Sequence, residues 1–249
     1  NNTWTGYCAY PEAFKCDKYK TTTGCSSDCP AIKGKNDVNP DIIAEDFDRT
    51  RDFVNRNLNS IYLNVGNSYS LQEANESFLF KNVKKVLIPL KNLSVKAEFD
   101  QLWEYKQRNR NELFKNLKKA DVSDTNFIMM WSAYRMTEYR KGMDYFIATL
   151  NILKHLLKDD ALTGLCLVVA AKPDEKYSNM IKELGITSMM GFCDRNEYNG
   201  TLAGSDIYCS TTIAEAGPRT NYESAALATP VISFDKCNAA DFINENNGA

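Results

Sequence analysis

The stretch from Ser205 to Phe234, SDIYCSTTIAEAGPRTNYESAALATPVISF, decides the fold of this 249-residue chain. Asp206 to Cys209 is a short β-type run, Glu215-Ala-Gly-Pro is a polar turn with Pro218 suited to a first helical position, and Asn221 to Ala228 is rich in alanine. Pro230 stops the helix, and Val231 to Phe234 follows as a short apolar run. The whole reads as strand, loop, helix and a second buried strand beside the first, joined by a compact crossover. Such a unit holds a helix start above the strand ends, where unpaired amides and the macrodipole attract phosphate and Gly217 lets a ligand approach the backbone. Glu215 and Glu223 stand eight positions apart, so both can face one cleft, and a carboxylate accepts hydrogen bonds from sugar hydroxyls.

With its acid, seven residues, a second Glu and then Thr-Pro-Val, this stretch resembles the donor site of GT-B, family 4 glycosyltransferases. Ala-Gly-Pro after the first acid is similar to the capsule and exopolysaccharide branch. The resemblance implies that Glu215 contacts the donor sugar, that Glu223 holds the ribose of the nucleotide, and that Gly217, Pro218, Arg219 and Thr220 form the amide-bearing helix start. Lys141-Gly142 matches the family's Lys-Gly, whose lysine contacts the donor diphosphate. The family's Gly-Arg is replaced here by Ser132-Ala133-Tyr134-Arg135, with one residue more before the lysine, so Arg135 or Arg140 is the partner cation.

The fold implied is α/β of the GT-B kind, two Rossmann-like domains facing a cleft. Residues 1–90 would be the last part of an incomplete N-terminal domain, 91–119 a linker and helix, and 120–249 a donor-binding domain truncated at its end. The segment KVLIPLKNLS resembles the one by which family members leave the first domain. The function implied is transfer of a sugar, with retention, from a nucleotide-diphosphate sugar to a hydroxyl of a polysaccharide or lipid-linked oligosaccharide. No cofactor or catalytic divalent metal is expected, and Glu215 and Lys141 carry the chemistry. A sugar-nucleotide epimerase or phosphorylase of the same fold, or a degenerate sugar-binding domain, are the alternatives.

Composition agrees with a globular chain: 43% hydrophobic and 25% charged residues, with a net charge of −2. No apolar run approaches the roughly 20 residues that span a bilayer, and no basic-then-apolar signal segment opens the chain, so a cytoplasmic location is expected. Residues 1–120 hold 19 Lys/Arg against 15 Asp/Glu, and 121–249 hold 11 against 17. This asymmetry is ordinary solvated surface or a basic face turned toward anionic lipid, which would allow peripheral membrane association. No basic stripe with interleaved aromatics suggests nucleic acid.

Cys8, Cys16, Cys25 and Cys29 crowd the opening with gaps of seven, eight and three residues. A Cys-x3-Cys end suits a tetrahedral thiolate site, the other spacings are loose for one, and structural zinc and unligated thiols both remain open. Cys166, Cys193, Cys209 and Cys237 are scattered through predicted strands and turns as small core residues. The four Asn-x-Ser/Thr sequons, at Asn1, Asn75, Asn92 and Asn199, are about as many as chance supplies in so Asn-rich a chain. His155, the sole histidine, lies late on a helix as a surface or packing residue.

Further elements are expected at Asp41–Asn57 (helix), Ile61–Val65 (strand), a helix capped at Asn67-Ser68 and running to about Phe80, and Val83–Ile88 (strand). Leu102–Lys119 is a helix whose Lys, Arg and Asn read as a solvated face. Phe127–Trp131 is a strand, followed by a loop through SAYRMTEYRKG and a helix with a core stripe of Met143, Phe146, Ile147, Leu150, Leu153 and Leu157. Leu165–Ala171, Glu175–Leu184 and Ser188–Phe192 continue the alternation as strand, helix, strand, the sign of an α/β chain.

Overall fold

A computed structural model describes residues 5, 8, 11–32, 39–88, 101–117, 126–157, 164–191, 193–215, 217–237, 239–241, 243–244 and 248. The chain forms two compact units, one of residues 1–91 with 214–217, the other of 92–213 with 218–249.

In the first unit, helix α1 (Asp41–Asn57) buries Ile43, Phe47 and Val54, an i, i+4, i+11 stripe on one face. Strand β1 (Tyr62–Val65) leads to helix α2 (Ser68–Glu76), and strand β2 (Lys84–Leu87) pairs with β1 in parallel, Tyr62 opposite Lys84 and Val65 opposite Leu87. The expected cap is present: the Asn67 side chain accepts from Ser70 N at 2.7 Å. Helix α2 ends at Glu76, short of Phe80, because Ser77 turns extended. The opening segment contributes Cys8, Tyr19, Cys25, Cys29 and Ile32 to this unit's core. Tyr62, Val86, Leu87 and Ile88 stay exposed.

The second unit is built on five parallel strands, β3 (Phe127–Arg135), β4 (Leu165–Lys172), β5 (Thr187–Gly191), β6 (Ile207–Ser210) and β7 (Val231–Ser233), in the order β5-β4-β3-β6-β7. Helices α3 (Leu102–Leu117), α4 (Met143–Leu156), α5 (Glu175–Glu183), α6 (Arg195–Gly204) and α7 (Arg219–Ala226) pack against it. Parity along the strands sorts the two cores. Met129, Trp131, Leu167 and Val169 meet Phe146, Ile147 and Leu150 of α4 and Ile181 of α5. Ile128, Met130, Cys166 and Val168 meet Leu113 and Leu117 of α3 and Leu202 and Ala203 of α6. A sheet apolar on both faces needs helices on both, which is the doubly wound arrangement.

Further sequence expectations are corrected. Strand β3 runs four residues further than Trp131, because Arg135 pairs with Lys172 of β4 across an irregularity that begins at Ser132. The expected solvated helix is amphipathic: Leu102, Leu113 and Leu117 of α3 are buried, and Lys106 and Arg110 on the same face turn inward. Arg110 donates to Asn126 O at 2.7 Å and pairs with Asp206 at 2.7 Å. Helix α3 comes so close to α6 that a Cβ on Gly204 would stand 2.8 Å from Arg110 N. Pro218 is the cap of α7, extended at ψ 91°, and the helix begins at Arg219. Leu157 lies beyond the core stripe of α4, exposed, and His155 is exposed nearby. Of the four later cysteines, Cys166, Cys209 and Cys237 are buried and Cys193 is half-buried beside a cavity. None of the eight cysteines is in a disulfide.

Candidate functional site

The strand order reverses between β3 and β6, and in open parallel sheets the crevice beyond such a reversal is where ligands bind. The loops leaving these two strands are fastened to each other. The Thr211 hydroxyl, just past β6, donates between Gly142 O (2.8 Å) and Lys141 O (3.0 Å) and accepts from Trp131 Nε1 at 2.9 Å. Ile213 N donates to Arg140 O at 2.9 Å. Lys141 ends a 3-10 turn, Tyr139–Lys141, and Gly142 closes it at φ +72°. A Cβ there would lie 2.0 Å from Thr211 O, so the left-handed turn and the close approach both require glycine.

Next to this junction lies a cavity of about 420 Å³ lined by Ser132, Ala133, Tyr134, Lys141, Ala170, Cys193, Asp194, Arg195, Tyr198, Arg219, Thr220 and Glu223. Glu223 is only 2% exposed. A buried carboxylate needs partners, and two arginines supply them. Arg195 Nη1 reaches Oε1 at 3.2 Å and Oε2 at 3.3 Å, while Arg219 reaches Oε1 through Nε at 3.3 Å and Nη2 at 3.2 Å. Both guanidinium groups keep half their surface in solvent. With Lys141 the lining carries three cations against Glu223 and the capping Asp194, an excess of positive charge suited to an anion.

Arg195 is placed by a capping box. Asp194 Oδ1 accepts from Asn196 N (2.8 Å) and Glu197 N (3.0 Å), and Glu197 Oε2 accepts from Asp194 N at 3.0 Å, which fixes the first turn of α6. A string of hydroxyls crosses the floor: Thr220 to Tyr198 (3.2 Å), Tyr198 to Ser132 (3.1 Å) and Ser132 to Tyr208 (3.1 Å). Burial pushes the Tyr198 phenol up to about 12, so it keeps its proton at neutral pH.

Of the residues singled out in the sequence, Lys141, Arg219, Thr220 and Glu223 come together at this cavity. Glu215 and Gly217 are half-buried in the loop between β6 and α7, and Pro218 is buried at the cap. They are not among the described lining residues, nor are Arg135 and Arg140. Arg140 pairs with Glu138 at 2.9 Å, and the Arg135 guanidinium stacks 5.5 Å from the Tyr134 ring centre. Arg195, Tyr198 and Ser132 escaped the sequence reading. Asp194-x-x-Glu197 is a capping-box signature directly after a strand, and it marks Arg195 as a residue at a helix start beside the crevice.

The family model for glycosyl transferases group 1 matches residues 110–249. Among solved structures, the chain is similar to WaaG, a glycosyltransferase involved in lipopolysaccharide biosynthesis, with a TM-score of 0.55 and 15% identity over 75% of this chain and 48% of that one. It is similar as well to sucrose-phosphate synthase from Thermosynechococcus elongatus, with a TM-score of 0.55 and 17% identity over 81% and 47%. The pneumococcal O-GlcNAc transferase GtfA, solved with UDP and GlcNAc, gives a TM-score of 0.51 and 16% identity over 79% and 35%. The chain thus spans less than half the length of each, and at these identities the likeness is one of fold. Among curated proteins none matches. Since the family model takes in more than half of its length, the chain belongs to the group 1 glycosyl transferases and carries their α/β fold of parallel sheets.

Proposed function

We propose that this chain is the donor-binding part of a glycosyltransferase that moves a sugar from a nucleotide-diphosphate donor to a hydroxyl of a polysaccharide or lipid-linked oligosaccharide. One observation carries the reading: a cavity at the switch point of the sheet in which a buried carboxylate, Glu223, is held between two half-exposed arginines with Lys141 nearby. Glu223 accepts from the ribose hydroxyls. Lys141 and Arg219, with the first amides of α7, take the diphosphate and the charge that grows on it as the sugar leaves, so no divalent metal is needed for that step. Arg195 takes the place of Arg135 or Arg140 as the second cation near the lysine. Glu215 faces the sugar whose bond breaks, and the reaction retains configuration, as family membership suggests. The setting is the cytoplasm, with the acceptor brought from a membrane surface. Among the described residues no helix is long and apolar enough to cross a membrane.

Calorimetry with nucleoside diphosphate, paired with transfer assays on the enzyme that contains this chain, tests the assignments. Lys141→Ala weakens binding and turnover together, because its cation meets charge in both ground and transition states. Glu223→Ala loses a charged hydrogen bond of about 1.5–3 kcal/mol, which lowers nucleotide affinity about ten- to a hundredfold. Glu215→Gln leaves nucleotide affinity near normal and slows transfer. If Glu215→Gln loses nucleotide as badly as Glu223→Ala, or keeps full turnover, the carboxylate roles are wrong.

A further inference from the structure

The opening segment has no α-helix or strand among its described residues, only 3-10 turns at Pro11–Phe14, Lys18–Lys20 and Pro30–Ile32. Yet it draws four cysteines, spread over 22 positions, around one small cavity, with Lys18 and Ser26 on the same wall. Cys8, Cys25 and Cys29 are 8%, 8% and 7% exposed, and Cys16 is half-buried. None has taken a disulfide partner. The cavity measures about 10 Å³, room for one ion or one water and nothing larger. A buried thiol packs as a small hydrophobe, so it is the convergence of four on one ion-sized cavity, rather than their burial, that points to a ligand.

We propose that Cys8, Cys16, Cys25 and Cys29 form a structural four-thiolate zinc site that cross-links the opening segment of the first unit, whose described residues form 3-10 turns and loops but no α-helix or strand. A segment of turns with few apolar side chains is the kind of structure that a metal stabilises outright. Four thiols give up four protons to bind one Zn²⁺, nothing is oxidised or reduced, and the complex carries a charge of −2. Lys18, on the cavity wall, is bonded to Ser26 Oγ at 3.1 Å and ion-paired with Asp28, so it offsets that charge only in part. Among the described residues no three His, Cys, Asp or Glu side chains stand close enough to hold a metal as they are. Binding therefore draws the thiols inward from the cavity wall to the roughly 2.3 Å of a zinc–sulfur bond.

Elemental analysis of the unaltered chain, purified without chelator, decides the matter. The expected result is about one zinc per chain, four cysteines shielded from a thiol reagent until a chelator is added, and loss of the zinc in Cys25→Ser and Cys29→Ser. Should those variants fail to fold, exchange of the zinc for Co²⁺ in the unaltered chain serves instead, and tetrahedral thiolate coordination gives an intense sulfur-to-cobalt charge-transfer band. Metal-free protein that takes up no added Zn²⁺ overturns the proposal, even where burial alone shields the thiols. So does an intact mass lowered by two disulfides.

Discussion

Lys106→Met tests what fastens α3 to the helices behind the cavity. The Lys106 ammonium donates to Ala203 O (2.7 Å) in the last turn of α6, to Leu227 O (3.2 Å) at the cap of α7, and to Thr229 Oγ1 (2.9 Å). A cation there meets the negative ends of two helices at once. Three charge-assisted bonds are worth about 4.5–9 kcal/mol before any cost. Burial opposes them and pushes the lysine down to about 8, with Asp206 acting against the shift and Arg110 with it. The group remains partly solvated, and Met keeps the aliphatic stem, so the net loss at pH 7 is about 2 kcal/mol. For a unit of this size that lowers Tm by about 4–8 °C. The sign with pH follows from linkage: the folded chain releases this proton near 8 and the unfolded chain near 10.5, so the stability contributed here rises with pH between those values. Met carries no proton to release, so the gap between parent and variant widens from pH 7 to pH 9.5. Chemical denaturation at the two pH values measures it. A gap that narrows as pH rises would refute the reasoning, for it would mean that the three oxygens hold the proton more tightly than the unfolded chain does.

Two other outcomes follow from the geometry. Gly142→Ala forces a Cβ into the left-handed region and against Thr211 O, so melting falls by an amount corresponding to about 3 kcal/mol, and nucleotide affinity falls with it because Lys141 is displaced; an unchanged melting temperature refutes the steric account. Leu87→Lys puts a charge among the exposed Tyr62, Val86 and Ile88 of the two-stranded sheet, and light scattering should show less self-association than in the parent.

Local chemistry made the crevice legible. Ile207–Ser210, Arg219–Ala226 and Val231–Ser233 lie within a few residues of the elements read from the stretch at 205–234, since alternation, alanine content and proline are all local signals. What stayed hidden depends on partners distant in sequence. Ser132–Arg135 reads as a loop, yet it is strand because β4 supplies hydrogen-bonding partners as far as Lys172. Lys106 and Arg110 read as solvated charge, yet their acceptors are carbonyls that the chain brings to α3 only on folding: Ala203, Leu227 and Asn126. The spacing of Leu102, Lys106, Arg110, Leu113 and Leu117 already puts all five on one helical face, and that face was there to be read. Arg195 was missed for a related reason, because its meaning comes from Glu223, 28 positions away.

The Tyr198 hydroxyl donates to Thr220, and a phenol has one proton to give, so its other bond, with Ser132, is one it accepts. Ser132 thus spends its proton on Tyr198 and accepts from Tyr208. The string runs one way, from Tyr208 in the sheet to Thr220 at the cavity, and Thr220, having accepted, has its own proton to give. The floor therefore greets a ligand as a donor: an oxygen placed against Thr220 continues the string, whereas a proton offered there opposes it.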